Sequence, residues 1–172
     1  MNSTPLLLAC LVAAGSFGCG PSKSSTAAVT EMPSLDHRTP LPLLPMMAEH
    51  QKQQMRGHLV AVHDIVAALS TDDFAAVEEA SKKIGFSDSM GRMCNHLGAG
   101  APAFAATAVS FHHTADTIGA AAKKKDRGSV LAALTTTLDA CTSCHATYKQ
   151  QVVDEATWNQ LTGAAMPTPP PN

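Results

Sequence analysis

Five residues carry most of the chemistry legible in this chain: Cys141-Thr142-Ser143-Cys144-His145. Two thiols three positions apart, followed at once by an imidazole, form the pentapeptide through which haem is attached covalently. The thiols make thioethers to the porphyrin vinyl groups, and the imidazole becomes the proximal ligand of the iron. The spacing therefore predicts one covalent haem c held by Cys141 and Cys144, with His145 as its iron ligand. Other uses of a Cys-x-x-Cys pair fit less well. No second pair exists to complete a Cys₄ zinc site, and a redox dithiol of the thioredoxin type needs a βαβ context.

Thioether attachment is made outside the bacterial cytoplasm, so the chain is expected to be exported to the periplasm. Residues 4–18, TPLLLACLVAAGSFG, are an uncharged stretch ending in small residues, as a secretory signal does. Its apolar core, residues 6–14, is too short to span a bilayer. Residues 1–19 are accordingly read as an export signal. Cys19 follows Ser16-Phe17-Gly18 and precedes GPSKSSTAA, which resembles a lipoprotein signal whose cysteine becomes the lipid anchor. Ser16 stands where such signals usually carry Leu, and no Lys or Arg precedes Lys23, so cleavage to a soluble periplasmic form is the competing reading. Residues 20–44, rich in Ser, Thr and Pro, read as a flexible tether. Residues 45–151 then form one haem-binding domain, and 152–172 a C-terminal extension in which Trp158 packs on the outside and the closing MPTPPPN is disordered. With 12 Lys and Arg against 14 Asp and Glu, the charge is near neutral and leaves no footprint for nucleic acid.

Abundant alanine, few aromatics and no alternation of β-branched with polar residues favour helices to position the motif. Residues 46–70 carry an apolar stripe at Met55, Leu59, Val62, Val66 and Leu69, spaced as one helix face. Thr71 or Asp72 caps a second, shorter helix to about residue 83, ended by Gly85, and a short helical stretch covers 88–97. Pro102 opens the next helix, with Phe104, Ala108, Phe111, Ala115, Ile118 and Ala122 on one face and the run Lys123-Lys124-Lys125 at its C-terminal end. The last helix is expected over 129–151, with Leu134, Leu138, Cys141, His145 and Tyr148 on its buried face. The fold class these segments predict is all-α, an antiparallel four-helix bundle with covalent haem near the end of the last helix.

Cys141-Thr-Ser-Cys144-His145-Ala-Thr-Tyr148-Lys149, placed in the last of four helices, resembles the attachment sequence of the cytochrome c′ family and its Met-ligated low-spin relatives. In that family CxxCH is followed by two residues, an aromatic and a basic residue, which places Lys149 at the cofactor. The resemblance spans residues 46–151, although only the haem segment is specific. It implies a left-handed bundle with five-coordinate or Met-ligated haem, and a distal residue on the first helix. Counting back from the turn that ends that helix, this register falls on Met55. Two features depart from the family: Gln51 stands where gas-binding members often carry a basic residue, and the stretch around 90–97 is extra.

Methionine on an apolar stripe is ordinarily core filling, and Met46, Met47, Met90 and Met93 show how freely this chain uses it. His50 and His58 compete with Met55 as sixth ligand. His96, His112 and His113 fit no zinc spacing, and His37 and His63 carry no signal. Cys94 is left unpaired and is expected as a buried thiol beside the haem or within the helical layer, with an intermolecular disulfide as the competing reading. No phosphate loop or nucleophile elbow occurs, and the adjacent pairs Asp72-Asp73 and Glu78-Glu79 point to different sides of a helix, so no enzyme active site is expected. The site supports two functions, beside a third class in which the protein is a haem-bearing accessory subunit whose main role is docking. In the first, Met55 and His145 keep iron six-coordinate and the protein passes single electrons to a redox partner in the periplasm or membrane. In the second, iron is five-coordinate and the distal pocket binds nitric oxide or carbon monoxide. Related bundles often form homodimers through their first two helices.

Overall fold

The computed structural model of the protein describes residues 35–163. The export signal, Cys10, Cys19, most of the expected tether and the closing MPTPPPN lie outside the described residues. Within them, the order is β1 (Thr39–Leu43), α1 (Pro45–Ser70), α2 (Phe74–Lys82), α3 (Asp88–Leu97), α4 (Pro102–Lys123), α5 (Arg127–Thr147), β2 (Tyr148–Val152) and α6 (Glu155–Thr162). The fold is thus mostly helical. It departs from the all-α expectation by a two-stranded parallel sheet, with Thr39 paired to Tyr148 and Leu43 to Val152.

Local chemistry sets most helix starts. Pro45 and Pro102 occupy first-turn positions, where a missing N–H costs no helical hydrogen bond. The Asp73, Ser87 and Asp154 side chains each accept a hydrogen bond from the backbone N–H three residues on, and Asp126 from that of Gly128. The second helix is therefore capped by Asp73 rather than by Thr71 or Asp72. Asp72 instead turns the chain with φ of 56°, a left-handed conformation that a short polar side chain tolerates. The boundaries expected for 88–97 and the start at Pro102 agree with α3 and α4.

One core cluster draws on four helices: Ala61, Ile65 and Leu69 of α1, Val77 and Ala80 of α2, Ala115 and Ile118 of α4, Val130 and Leu134 of α5. The inward face of α1 differs from the expected stripe. Leu69 is buried, but Leu59 and Val66 are 71% and 50% exposed, because the helix presents Ala61, Ile65 and Leu69, four residues apart, to its neighbours. On α4 the expected face holds, with Phe104, Ala115, Ile118 and Ala122 buried and Phe111 half-buried. On α5 Leu138 is 40% exposed and Thr137 is buried instead.

A second cluster lies at the other end of the helices, where Leu41, Leu43, Met47, Ala48, Leu97 and Phe104 pack under the strand pair. Residues 39–43, expected to belong to the tether, are therefore part of the folded unit. Side chains alternate along a strand, so Leu41 and Leu43 share one face and are both buried. Pro40 and Pro42 alternate with them, which places both missing donors on the same edge of the strand. The expected last helix is shorter than 129–151 at its C-terminal end: Tyr148 turns to extended φ and ψ and begins β2. A parallel partner supplies the ladder bonds that a further helical turn would have made within the chain. Trp158 of α6 packs partly buried against this second cluster, as expected for the extension.

Candidate cofactor site

The end of α5 places the CTSCH residues on the wall of a cavity of about 640 Å³. Cys141, Cys144 and His145 all line it. The spacing three and four residues apart puts them on one side of the helix. The thiols are half-buried, and burial pushes the pKa of each upward. His145 was expected on the buried face. It is exposed in this structure and lines the cavity.

The opposite walls are apolar. Met90, Met93 and Leu97 come from α3, and Phe104, Ala108 and Phe111 from α4. Met55 and His58, one turn apart on α1, line the same space, so the structure brings the two thiols, His145, Met55 and His58 to one cavity. Met55 is 37% exposed. His50 is not among the lining residues; it contacts Gln54 on its own helix. Cys94 is buried and also lines the cavity, with its thiol pKa raised by burial. Lys149 lines it too, one residue into β2.

Charge at the rim is one-sided. Arg38, Lys52, Arg56 and Lys149 line the cavity against a single carboxylate, Asp36, in a chain whose net charge is -2. Asp36 grips Arg38 through both oxygens, at 3.0 Å to Nε and 2.8 Å to Nη2. These bonds from Arg38, with Lys149 nearby, hold the Asp36 carboxyl far below the usual carboxylate range. Lys149 Nζ donates to the Asp36 backbone carbonyl at 2.7 Å. Arg38 Nη1 donates to the backbone carbonyl of His145 at 3.2 Å.

Two histidines close the inner end. The His112 Nδ1 lies 2.7 Å from the Ile84 carbonyl, which makes it the protonated nitrogen and accounts for this buried ring as a satisfied core histidine. His58 packs against it with ring centroids 5.4 Å apart and against Phe111 at 5.3 Å. The His58 Nε2 is buried with no hydrogen-bond partner among the described residues. Burial and then the neighbouring His112 push the His58 pKa down to about 4, so the ring is neutral at neutral pH.

The cavity is apolar within and lined by several cationic side chains, and it presents two thiols and an imidazole side by side. Among the described residues, no three His, Cys, Asp or Glu side chains converge to hold a bare metal ion. No helix among the described residues is long and apolar enough to cross a membrane. The architecture is that of a largely helical protein with one large apolar cavity between its helices. No family model, curated protein or solved structure matches this chain.

Sequence reasoning brought Cys141, Cys144, His145, Met55 and Lys149 to the site. It missed Arg38 and Asp36, which sit in a segment read as tether, and the role of His58 as an unpaired buried ring. The pairing of Arg38 with a carbonyl 107 positions away leaves no local signal.

Proposed function

We propose that this protein is a periplasmic c-type cytochrome, a single-haem electron-transfer protein similar to the cytochrome c′ family, with α1, α2, α4 and α5 as the helices of a four-helix bundle. The observation that carries the reading is that both thiols and the imidazole of CTSCH lie on the wall of one large apolar cavity. About 640 Å³ falls within the roughly 300–1,000 Å³ usual for cofactor-sized ligands. The four-helix core and the cationic rim support it further, since the two porphyrin carboxylates need positive partners.

Haem supplies a one-electron couple when bound. Cys141 and Cys144 would hold it covalently, and His145 would supply an iron ligand. Met55 of α1 would supply a second ligand, a soft thioether tethered on a packed helix and so present at high effective concentration. The Met, Leu and Phe side chains would give the group largely apolar surroundings. Lys149 and the other rim cations offset the carboxylates. The alternative is a five-coordinate binder of nitric oxide or carbon monoxide, and it draws on the 37% exposure of Met55. Lipidation at Cys19 would place the protein at the membrane, close to a membrane-bound redox partner.

Absorption spectra of the purified protein in both redox states test the reading. Colour that stays with the polypeptide through acid and organic extraction, lost in part by Cys144→Ser and kept by Cys94→Ser, supports covalent haem; extractable haem or a colourless chain overturns it. A sulfur-to-iron charge-transfer band that Met55→Ala abolishes, with increased carbon monoxide uptake, supports the six-coordinate carrier. A high-spin spectrum in the unmutated protein supports the gas-binding alternative.

A further inference from the structure

Two of the residues lining the cavity, Asp36 and Arg38, come from the segment preceding the first helix. Asp36 and Arg38 lie just before β1, and β1 pairs with the strand that starts three residues after His145. Arg38 Nη1 donates to the carbonyl of His145 itself, at 3.2 Å. Carbonyls in the last turn of a helix lack intrahelical donors, and a cation there also complements the helix dipole. The guanidinium is aimed by the carboxylate fork of Asp36, which also accepts the Arg38 backbone N–H at 3.1 Å. Lys149 Nζ lies 3.7 Å from Asp36 Oδ2 and completes the cluster.

We infer that Arg38 is a positioning residue for the cofactor site: it caps the His145 carbonyl, aligns the end of α5 and places a positive charge beside the proximal ligand that raises the reduction potential. This rests on the haem reading above. The sign follows from electrostatics. Reduction removes one positive charge from the iron, so a fixed cation nearby favours the reduced state and a fixed anion the oxidised state. Arg38 and Asp36 therefore act in opposite directions. Lys149, Lys52 and Arg56 are the other charges on the cavity rim, and Glu49 pairs with the last two. The Arg38 side chain is 43% exposed, so solvent screens part of the effect.

Redox titration of the holoprotein tests this with three variants. Arg38→Gln is expected to lower the reduction equilibrium constant by roughly threefold to tenfold, tenfold being about 59 mV for one electron. Arg38→Lys keeps the charge and is expected to stay near the unmutated value, and Asp36→Asn is expected to shift the potential upward. Covalent haem content should be the same in all. Opposite shifts in Arg38→Gln and Asp36→Asn are the electrostatic signature, because a merely structural loosening would move both the same way. Shifts of the same sign, or none in either, overturn the inference while leaving the haem reading intact. Should Arg38→Gln not yield holoprotein, Asp36→Asn decides alone: an upward shift supports the inference and an unmoved potential overturns it. A chain without covalent haem, seen by extraction before any titration, overturns the haem reading and this inference together.

Discussion

Leu43→Ala is the sharpest test of whether the segment before α1 belongs to the fold. Leu43 is fully buried in β1 and packs with Met47, Ala48, Leu97 and Phe104. Truncation removes its transfer free energy and leaves a cavity, which together cost about 2–5 kcal/mol for a buried leucine. Met47 is flexible enough to fill part of the space, so a value of about 3 kcal/mol is expected. For a chain of this size that corresponds to a fall of roughly 10 °C in Tm. Thermal unfolding followed by far-ultraviolet circular dichroism measures it. Leu35→Ala is the control: Leu35 is 91% exposed just before the strand and should change stability by less than about 0.5 kcal/mol. If Leu43→Ala behaves like Leu35→Ala, the strand pair contributes nothing and the segment is a tether after all.

Acid should weaken the fold through His58. Its folded pKa of about 4 lies below the ordinary 6.5, so the unfolded chain takes up the proton first as pH falls and stability is lost between about pH 6.5 and 4. With part of the ring reached by solvent, the loss is about 1–3 kcal/mol, to which the buried and likewise depressed His112 adds in the same direction. His58→Leu should flatten the fall of the urea midpoint between pH 7.5 and 4.5; an unchanged slope would refute the assignment. Gly98→Ala should cost about 1–3 kcal/mol, read as a lower urea midpoint, because a Cβ there would lie 2.6 Å from the Cβ of Ala105 and 2.9 Å from its backbone nitrogen. If Cys19 carries the lipid, Cys19→Ala moves the protein out of the detergent phase or blocks its processing, and a water-soluble unmutated form rules the anchor out.

The helices were legible where local chemistry decides them. Pro102 as a first-turn residue, the limits of the 88–97 stretch and the inward face of α4 are all written in short-range pattern. The inward face of α1 was not, because Leu59, Val60 and Val66 make a second apolar side, and only packing against α2 and the shared core selects Ala61, Ile65 and Leu69. The strand pair was hidden at both ends. TPLPL reads as tether because two of its five residues are proline, and Tyr148 extends the apolar spacing of α5 and so reads as helix. Each strand exists only because the other is present, and their partnership spans most of the chain. In the site, the residue types of CTSCH marked one wall of the cavity. The Asp36 and Arg38 cluster and the unpaired nitrogen of His58 depend on tertiary placement alone.

The strand pair also has a consequence for the order of folding. Helices α1 with α2, α3 with α4 and α4 with α5 meet across short loops, so those contacts can form early. The pairing of Leu43 with Val152 must instead close a loop containing five helices, and its entropy is recovered only once those helices are in place. The ladder is therefore expected to form last and to open first. Until it does, the chain beyond Thr147 hangs free of the helical body, and Arg38 does not yet reach the His145 carbonyl. Pulse-labelled hydrogen exchange during refolding should accordingly show the amides of residues 148–152 gaining protection after those of α4 and α5.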